Sequence, residues 1–239
     1  MREYPLEKNL PSLNYIINNW PRSKPILKKF VLSKYSSPDL LKICQSCLKE
    51  LKVFRERKIN TLLRKASKIC LLNKTYNTYH NSHHFKAVIV IACIIAKNTE
   101  LSNRDKVLLV IISLCHDIEH QGRRIISQPY FQEELSFHLF RRLSYKFFFK
   151  KKELQRVLRI FRNTYFPEKP DKVSDKLEKI ILDADILSSL MFDISTGLKF
   201  AGRIKHELKM TSTSEELFES FLNSINNKRL YMDRSKKLC

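Results

Sequence analysis

Apolar residues recur along this chain at helical spacing rather than in alternation. Behind a Ser-Pro-Asp start at Ser37, "DLLKICQSCLKELKVF" sets apolar side chains three and four apart, and "KINTLLRKASKICLL" continues in the same period. Two later stretches, "AVIVIACIIA" (87–96) and "VLLVIISLC" (107–115), are apolar almost all round, the pattern of helices buried on every side. "NTELSNRD" reads as the turn between them, and the second of these helices ends in "CHDIEHQGRR". The same periodicity predicts helices over 131–149, 151–163, 172–190 and 214–227. Prolines at 5, 11, 21, 25 and 38 break the N-terminal part into short helices. No alternating strand pattern competes, so the fold class expected is all-α. A basic N-terminal helical segment, 1–60, is expected to pack on a main domain, 61–239, as one structural unit.

Neither apolar run approaches the ~18 residues of a membrane-spanning helix, and "MREYPLEKNLP" lacks the apolar core of a secretory leader. The expectation is a soluble, cytoplasmic protein. Its six cysteines are scattered, and three fall inside apolar helical patterns, so reduced thiols are expected. Cys44 and Cys47 form a single C-x-x-C with neither the second pair of a zinc site nor a preceding strand, and read as small core residues. The chain has only three glycines, widely separated; clustered-glycine phosphate loops and dinucleotide turns are excluded.

Charge changes the picture in one region. The net formal charge is +21, and residues 1–79 alone carry 17 Lys/Arg against 5 Asp/Glu, whereas 167–239 carry 13 against 12. A basic lobe of this kind suits an anionic substrate, nucleic acid or an acidic membrane surface; a solvated Lys-rich surface set by composition is the other reading. "YKFFFKKK" (145–152) reads as a helix end with core-facing rings and a basic turn, or as an interfacial segment.

The candidate chemistry lies beside the most apolar helices. "YHNSHH" (79–84) holds His80 and His84 four apart, one turn along a helix face. His116 and Asp117 end the second apolar helix, His120 follows one turn later, and Asp183 and Asp185 stand two apart in a third. Buried imidazoles and carboxylates are costly unless paired or bound to a cation. Two imidazoles and two carboxylates on one divalent metal would satisfy them together.

In this order the motifs resemble the HD-domain metal-dependent phosphohydrolases, most closely the class I cyclic-nucleotide phosphodiesterase branch. The matches are Tyr79-His80-Asn81-Ser82-His83-His84, His116-Asp117-Ile118-Glu119-His120-Gln121-Gly122, Thr164, and Ala184-Asp185-Ile186. The resemblance spans about residues 76–190 and implies an HD-type helical bundle with a catalytic domain over 61–239. It further implies that His84, His116, Asp117 and Asp185 hold a first metal, zinc (or iron or manganese), with Asp117 reaching a second, magnesium or manganese. Hydroxide held between the metals would attack phosphorus, with His80 as general acid. His120, Glu119, Asn81, Tyr79 and Glu134 would lie just behind this first layer, with Glu133 the alternative to Glu134. The implied reaction is hydrolysis of a phosphodiester, with a 3′,5′-cyclic nucleotide giving a nucleoside 5′-monophosphate as the leading substrate. Mononucleotides or other small phosphate esters are the alternative, and a basic nucleic-acid or membrane-binding module on the same scaffold is a third reading.

The chain departs from the family pattern in several places. Glu119 stands where the family has Asp, and Tyr165 where its Thr-Asp-Met segment has Asp. The Asn-Pro after the Ala-Asp pair is missing, and no glutamine follows Gln155, although the family grips its purine with one. Phe221, with Asn223 or Asn226, could supply a stacking ring and an amide, although the segment reads first as an amphipathic helix with a polar face. His83, at a variable motif position, is expected to face solvent or lie behind the ligands and not to bind the metal, and His138 and His206, outside the motifs, read as ordinary residues.

Overall fold

The computed structural model describes residues 10–33, 38–54, 56–72, 77–122, 128–145, 149–166, 170, 172–226 and 230–238; among them there are helices and no strand. In chain order the helices are α1 (Leu13–Asn18), α2 (Lys24–Leu32), α3 (Leu40–Glu50), α4 (Arg57–Leu72), α5 (Ser82–Ala96) and α6 (Asn103–Cys115). They continue as α7 (Phe131–Leu143), α8 (Lys151–Asn163), α9 (Lys176–Leu190), α10 (Ile194–Leu208), α11 (Ser214–Ser224) and α12 (Asp233–Leu238). Among the described residues no helix is long and apolar enough to cross a membrane.

The most apolar segment becomes the central helix. Every residue of α5 from His84 to Ala96 is buried, because α9, α6, α3, α2 and α1 all pack around it. The second apolar run, α6, lies against α5 with α3, α4, α7 and α9 on its other sides. A helix covered on all faces has no room for a polar side, so hydrophobic residues fill each position. Helix starts follow side-chain caps: Asn81 accepts from the His83 N–H at the head of α5, Ser102 from Asp105 at α6, and Asp175 from Leu177 at α9. Thr213 and Glu216 form a reciprocal capping box at α11.

The expected 1–60 boundary falls inside α4, and α1–α3 share one hydrophobic core with α5, α6 and α9. Lys86 fastens this join: its buried amine donates to the carbonyls of Phe30 and Ser33 at the end of α2, at 2.8 and 3.0 Å. Cys44, Cys47, Cys70, Cys93 and Cys115 are buried free thiols, and burial pushes the Cys115 thiol up to about 12; Cys239 lies outside the described residues.

Three helices differ in extent from the sequence expectation. α7 ends at Leu143, with Phe147 and Phe148 of "YKFFFKKK" outside the described residues, while Phe149 packs on Phe140 and beneath Arg104. α9 begins four residues later than expected because Asp175 caps it, and α11 ends at Ser224. The periodicity gave no helix over 194–208, yet α10 runs there. Gly197 and Gly202 dilute its pattern, but a Cβ at Gly197 would lie 2.2 Å from the Phe218 ring. Glycine is thus what lets α10 and α11 approach closely. Ala201, Leu217, Phe218 and Phe221 of this pair form a second, smaller apolar cluster.

Candidate metal centre

Three helices deliver four donors to one point. His84 comes from the first turn of α5, His116 and Asp117 from the end of α6, and Asp185 from α9. One donor atom from each lies within 4.8 Å of the others. The two imidazole Nε2 atoms face one another at 3.4 Å. His84 Nε2 is 3.3 Å from both Asp117 Oδ2 and Asp185 Oδ1, and His116 Nε2 is 3.0 and 3.6 Å from the same two oxygens. A tetrahedral ion with ligands at about 2.0–2.1 Å has ligand-to-ligand edges of about 3.3–3.4 Å. The separations here span that value, so the donor set fits a divalent ion.

The orientation of the imidazoles agrees. His116 Nδ1–H donates to the Ser113 carbonyl at 3.1 Å, and His84 Nδ1 lies 3.4 Å from Ser188 Oγ, which itself donates to the Asp185 carbonyl. With each Nδ1 engaged from behind, each Nε2 is turned into the cluster, as in metal-ligating histidines. Burial disfavours charge on His84 and His116, but Asp117 and Asp185 outweigh it and raise both imidazoles above their ordinary range. Burial likewise opposes ionisation of Asp117 and Asp185; the same imidazoles outweigh it and keep both carboxyls low. Without a cation the two carboxylates draw protons onto the imidazoles; a divalent ion would take the place of those protons.

Asp117 and Asp185 form the floor of a cavity of about 300 Å³. His80, His120 and Glu133 line its polar side, and Phe131, Tyr165, Phe166, Ile186, Met210 and Phe221 its apolar side. Glu133 is 7% exposed, and its Oε2 has no hydrogen-bond partner. Burial first, then the negative Asp117 and Asp185, push its carboxyl up to about 8. A buried carboxyl oxygen without a partner is what a nearby cation or ordered water satisfies. Glu134, expected in this role, instead faces outward and pairs with Arg162 at 2.6 Å. The correction is one residue, about 100° around α7.

Behind the first layer stands a residue that sequence reading missed. Glu207 of α10 is buried and accepts from the backbone N–H groups of Tyr79 and His80 at 2.6 and 3.1 Å. Its other oxygen meets His80 Nδ1 at 2.5 Å. Burial opposes its charge, but the His120 and His80 side chains outweigh that and hold the carboxyl well below the usual range. An ionised Glu207 can only accept, so His80 Nδ1–H donates to it and leaves His80 Nε2 toward Asp117, 3.9 Å from Oδ2. His120 stacks on His80 with ring centroids 3.7 Å apart. Burial and then His80 push it down to about 4, so it is an uncharged ring at neutral pH, and its Nδ1 lies 3.4 Å from Glu207 Oε1 and 3.2 Å from the Gly122 nitrogen. Donor atoms of His80, His120 and Glu207 also lie within 4.8 Å of one another. Their atoms are already engaged in these hydrogen bonds, so the trio reads as a support for His80 rather than a second ion site.

The remaining expected residues divide. Tyr79 is buried; its hydroxyl bonds Ser189 Oγ at 2.7 Å, and its ring packs on His84 and His80. Asn81 caps α5 and donates to the carbonyls of Asn77 and Thr78, fixing the turn that carries His80. Glu119 lies outside the cavity lining, its backbone N–H donating to Ser136 Oγ. Phe221 lines the cavity edge-on to Phe166, whereas Asn223, two residues on, faces solvent. The amides on the lining are Gln128 and Gln132, from before and within α7. Asp183 points away from the cluster and accepts from the Tyr231 and Met232 N–H groups. His83 lies outside the four-donor group, and His138 and His206 are exposed. Compared with family models, curated proteins and solved structures, the chain matches none.

Proposed function

We propose that this chain is a metal-dependent phosphodiester hydrolase of the HD type. The observation that carries the reading is the convergence of His84, His116, Asp117 and Asp185, at ligand-edge spacing, on the floor of a cavity whose wall presents His80. These four residues would hold the first divalent ion, zinc, iron or manganese; Asp117, with Glu133 nearby, would face a second, magnesium or manganese. When bound, such ions neutralise phosphate oxygens and acidify a water at neutral pH.

The chain's own residues supply the rest. A departing alkoxide needs a proton, and the imidazole His80 is the donor within the cavity. Glu207 fixes its ring through Nδ1, and stacking on His120 limits its rotation, so Nε2 is held toward the floor. Tyr79 and Asn81 hold the turn on which His80 sits. The apolar side, with Phe131, Tyr165, Phe166 and Phe221, suits a flat ring system. A nucleotide fits such a wall, and the resemblance of the motifs makes a 3′,5′-cyclic nucleotide yielding the nucleoside 5′-monophosphate the leading substrate class. Mononucleotides and other small phosphate esters form the second reading, favoured by the absence of a glutamine after Gln155.

Turnover of cyclic and linear nucleotides with manganese tests both. Hydrolysis of 3′,5′-cyclic AMP or GMP, abolished in His116→Ala, supports the first; hydrolysis of monoesters alone supports the second. Absence of turnover across the panel with metal bound would overturn the enzymatic reading.

A further inference from the structure

One helix face carries part of the charge excess of the N-terminal part with no acidic residue among it. α4 contains Arg57, Lys58, Arg64, Lys65 and Lys68 and no acidic residue; Glu56 stands just before it. Its inner face, with Ile59, Leu62, Leu63, Ala66, Ser67 and Cys70, is buried against the core. Lys58, Thr61, Arg64, Lys65 and Lys68 are exposed on the outer face, and Leu72 continues that stripe one turn further. α7 packs against α4 and ends in exposed Arg141 and Arg142, with no acid in that last turn.

Large apolar side chains project at the margins of the same region. Phe54, between α3 and α4, is 90% exposed, Leu72 at the end of α4 is 64% exposed, and Tyr145 just beyond α7 is 68% exposed. Scattered single apolar residues need no explanation. A basic face bracketed by protruding apolar groups is a different arrangement, because both components act on one partner.

We propose that the outer face of α4 docks the protein on an anionic membrane surface. Lysine and arginine are drawn to acidic headgroups, and Phe54, Leu72 and Tyr145 are of a kind to enter the headgroup boundary. The core already uses the apolar face of α4, so the helix rests on the surface instead of inserting. Phe54 and Tyr145 suit a stacked nucleobase and a headgroup boundary alike, and the aliphatic Leu72, which offers no stacking plane, favours lipid as the occupant. This surface is independent of the metal centre.

The test is sedimentation of the full chain with vesicles of phosphatidylcholine alone, and of phosphatidylcholine with phosphatidylserine at about 7:3. The protein should sediment with the anionic vesicles at about 0.15 M salt and be released as salt rises. Each basic residue near such a surface contributes about fivefold. Lys58→Glu, Arg64→Glu, Lys65→Glu and Lys68→Glu combined should therefore weaken binding by at least tenfold. A variant with equal charge change elsewhere, at Lys172, Lys176, Lys199 and Lys237, should bind far more strongly than the α4 variant. Phe54→Ala with Leu72→Ala should raise the salt sensitivity of what remains; all these side chains are exposed, and thermal melts check the fold. Equal loss in the two charge variants, no preference for anionic vesicles, or capture by polynucleotide in place of vesicles would overturn the proposal.

Discussion

Glu207→Gln is the perturbation that separates a proton-donor assembly from a merely buried polar network. Both carboxylate oxygens of Glu207 act as acceptors: one for the Tyr79 and His80 N–H groups, the other for His80 Nδ1–H. A glutamine keeps one acceptor and turns an N–H₂ toward the second partner. If its oxygen stays with the backbone, the imidazole of His80 faces a donor and must present a lone pair there, losing support for its protonated form. Hydrogen bonds to charged groups contribute about 1.5–3 kcal/mol, so a stability loss of that order is expected in urea unfolding. The catalytic loss has a different signature. General acid catalysis contributes about 10²–10⁴-fold, but only where the leaving oxygen needs the proton. The assay is a matched pair of diesters, one leaving as an alkoxide and one as p-nitrophenolate, at saturating manganese. Glu207→Gln should slow the first by about 10²-fold and the second by less than about fivefold, with bound metal unchanged, and His80→Ala should follow the same pattern. Equal slowing of both esters, or loss of metal from Glu207→Gln, would refute the assignment of His80 and its support.

Two further outcomes follow from other parts of the structure. Asp183 and Asp185 are indistinguishable by burial pattern in the sequence but serve different ends. Asp183→Ala should cost about 2–3 kcal/mol by freeing the Tyr231 and Met232 N–H groups it accepts from, while keeping metal; Asp185→Ala should lose the metal. Asp175 makes a two-pronged pair with Arg156, which also meets Asp105 and so ties α6, α8 and α9 together. Burial opposes the charge of Asp175, but Arg156 outweighs it, so its folded pKa lies below the unfolded value. That contribution is present above about pH 4 and lost as pH falls through the folded pKa. Arg156→Met should therefore destabilise by about 1 kcal/mol at neutral pH, with the gap to wild type closing in acid melts.

What the sequence made legible was what local period and local motif encode. The apolar runs of α5 and α6 are too continuous for a surface helix, and they form the centre of the bundle. His84, His116, Asp117 and Asp185 are singled out by the resemblance of their motifs, and their places at or inside apolar helices, where an unpaired polar group is costly, support that choice without separating Asp185 from Asp183. Errors arose where helical phase decides. Glu133 and Glu134 differ by one position, and only packing of α7 turns the first inward. Asn223 is likewise two residues from Phe221 and so points away from the cavity. Glu207 was invisible for another reason: it meets His80 across 127 residues, from a helix whose pattern two glycines obscure. No local window contains that contact.

The central claim is that His84, His116, Asp117 and Asp185 form a metal site. Elemental analysis of purified protein after loading with zinc or manganese and exhaustive desalting tests it most directly, with Asp117→Ala and His116→Ala measured alongside. The expected result is a stoichiometric divalent ion retained by the wild-type chain and by His80→Ala, and lost from both ligand variants while their helical content persists. A wild-type chain that retains no ion, or an Asp117→Ala variant that retains as much as wild type, would contradict it.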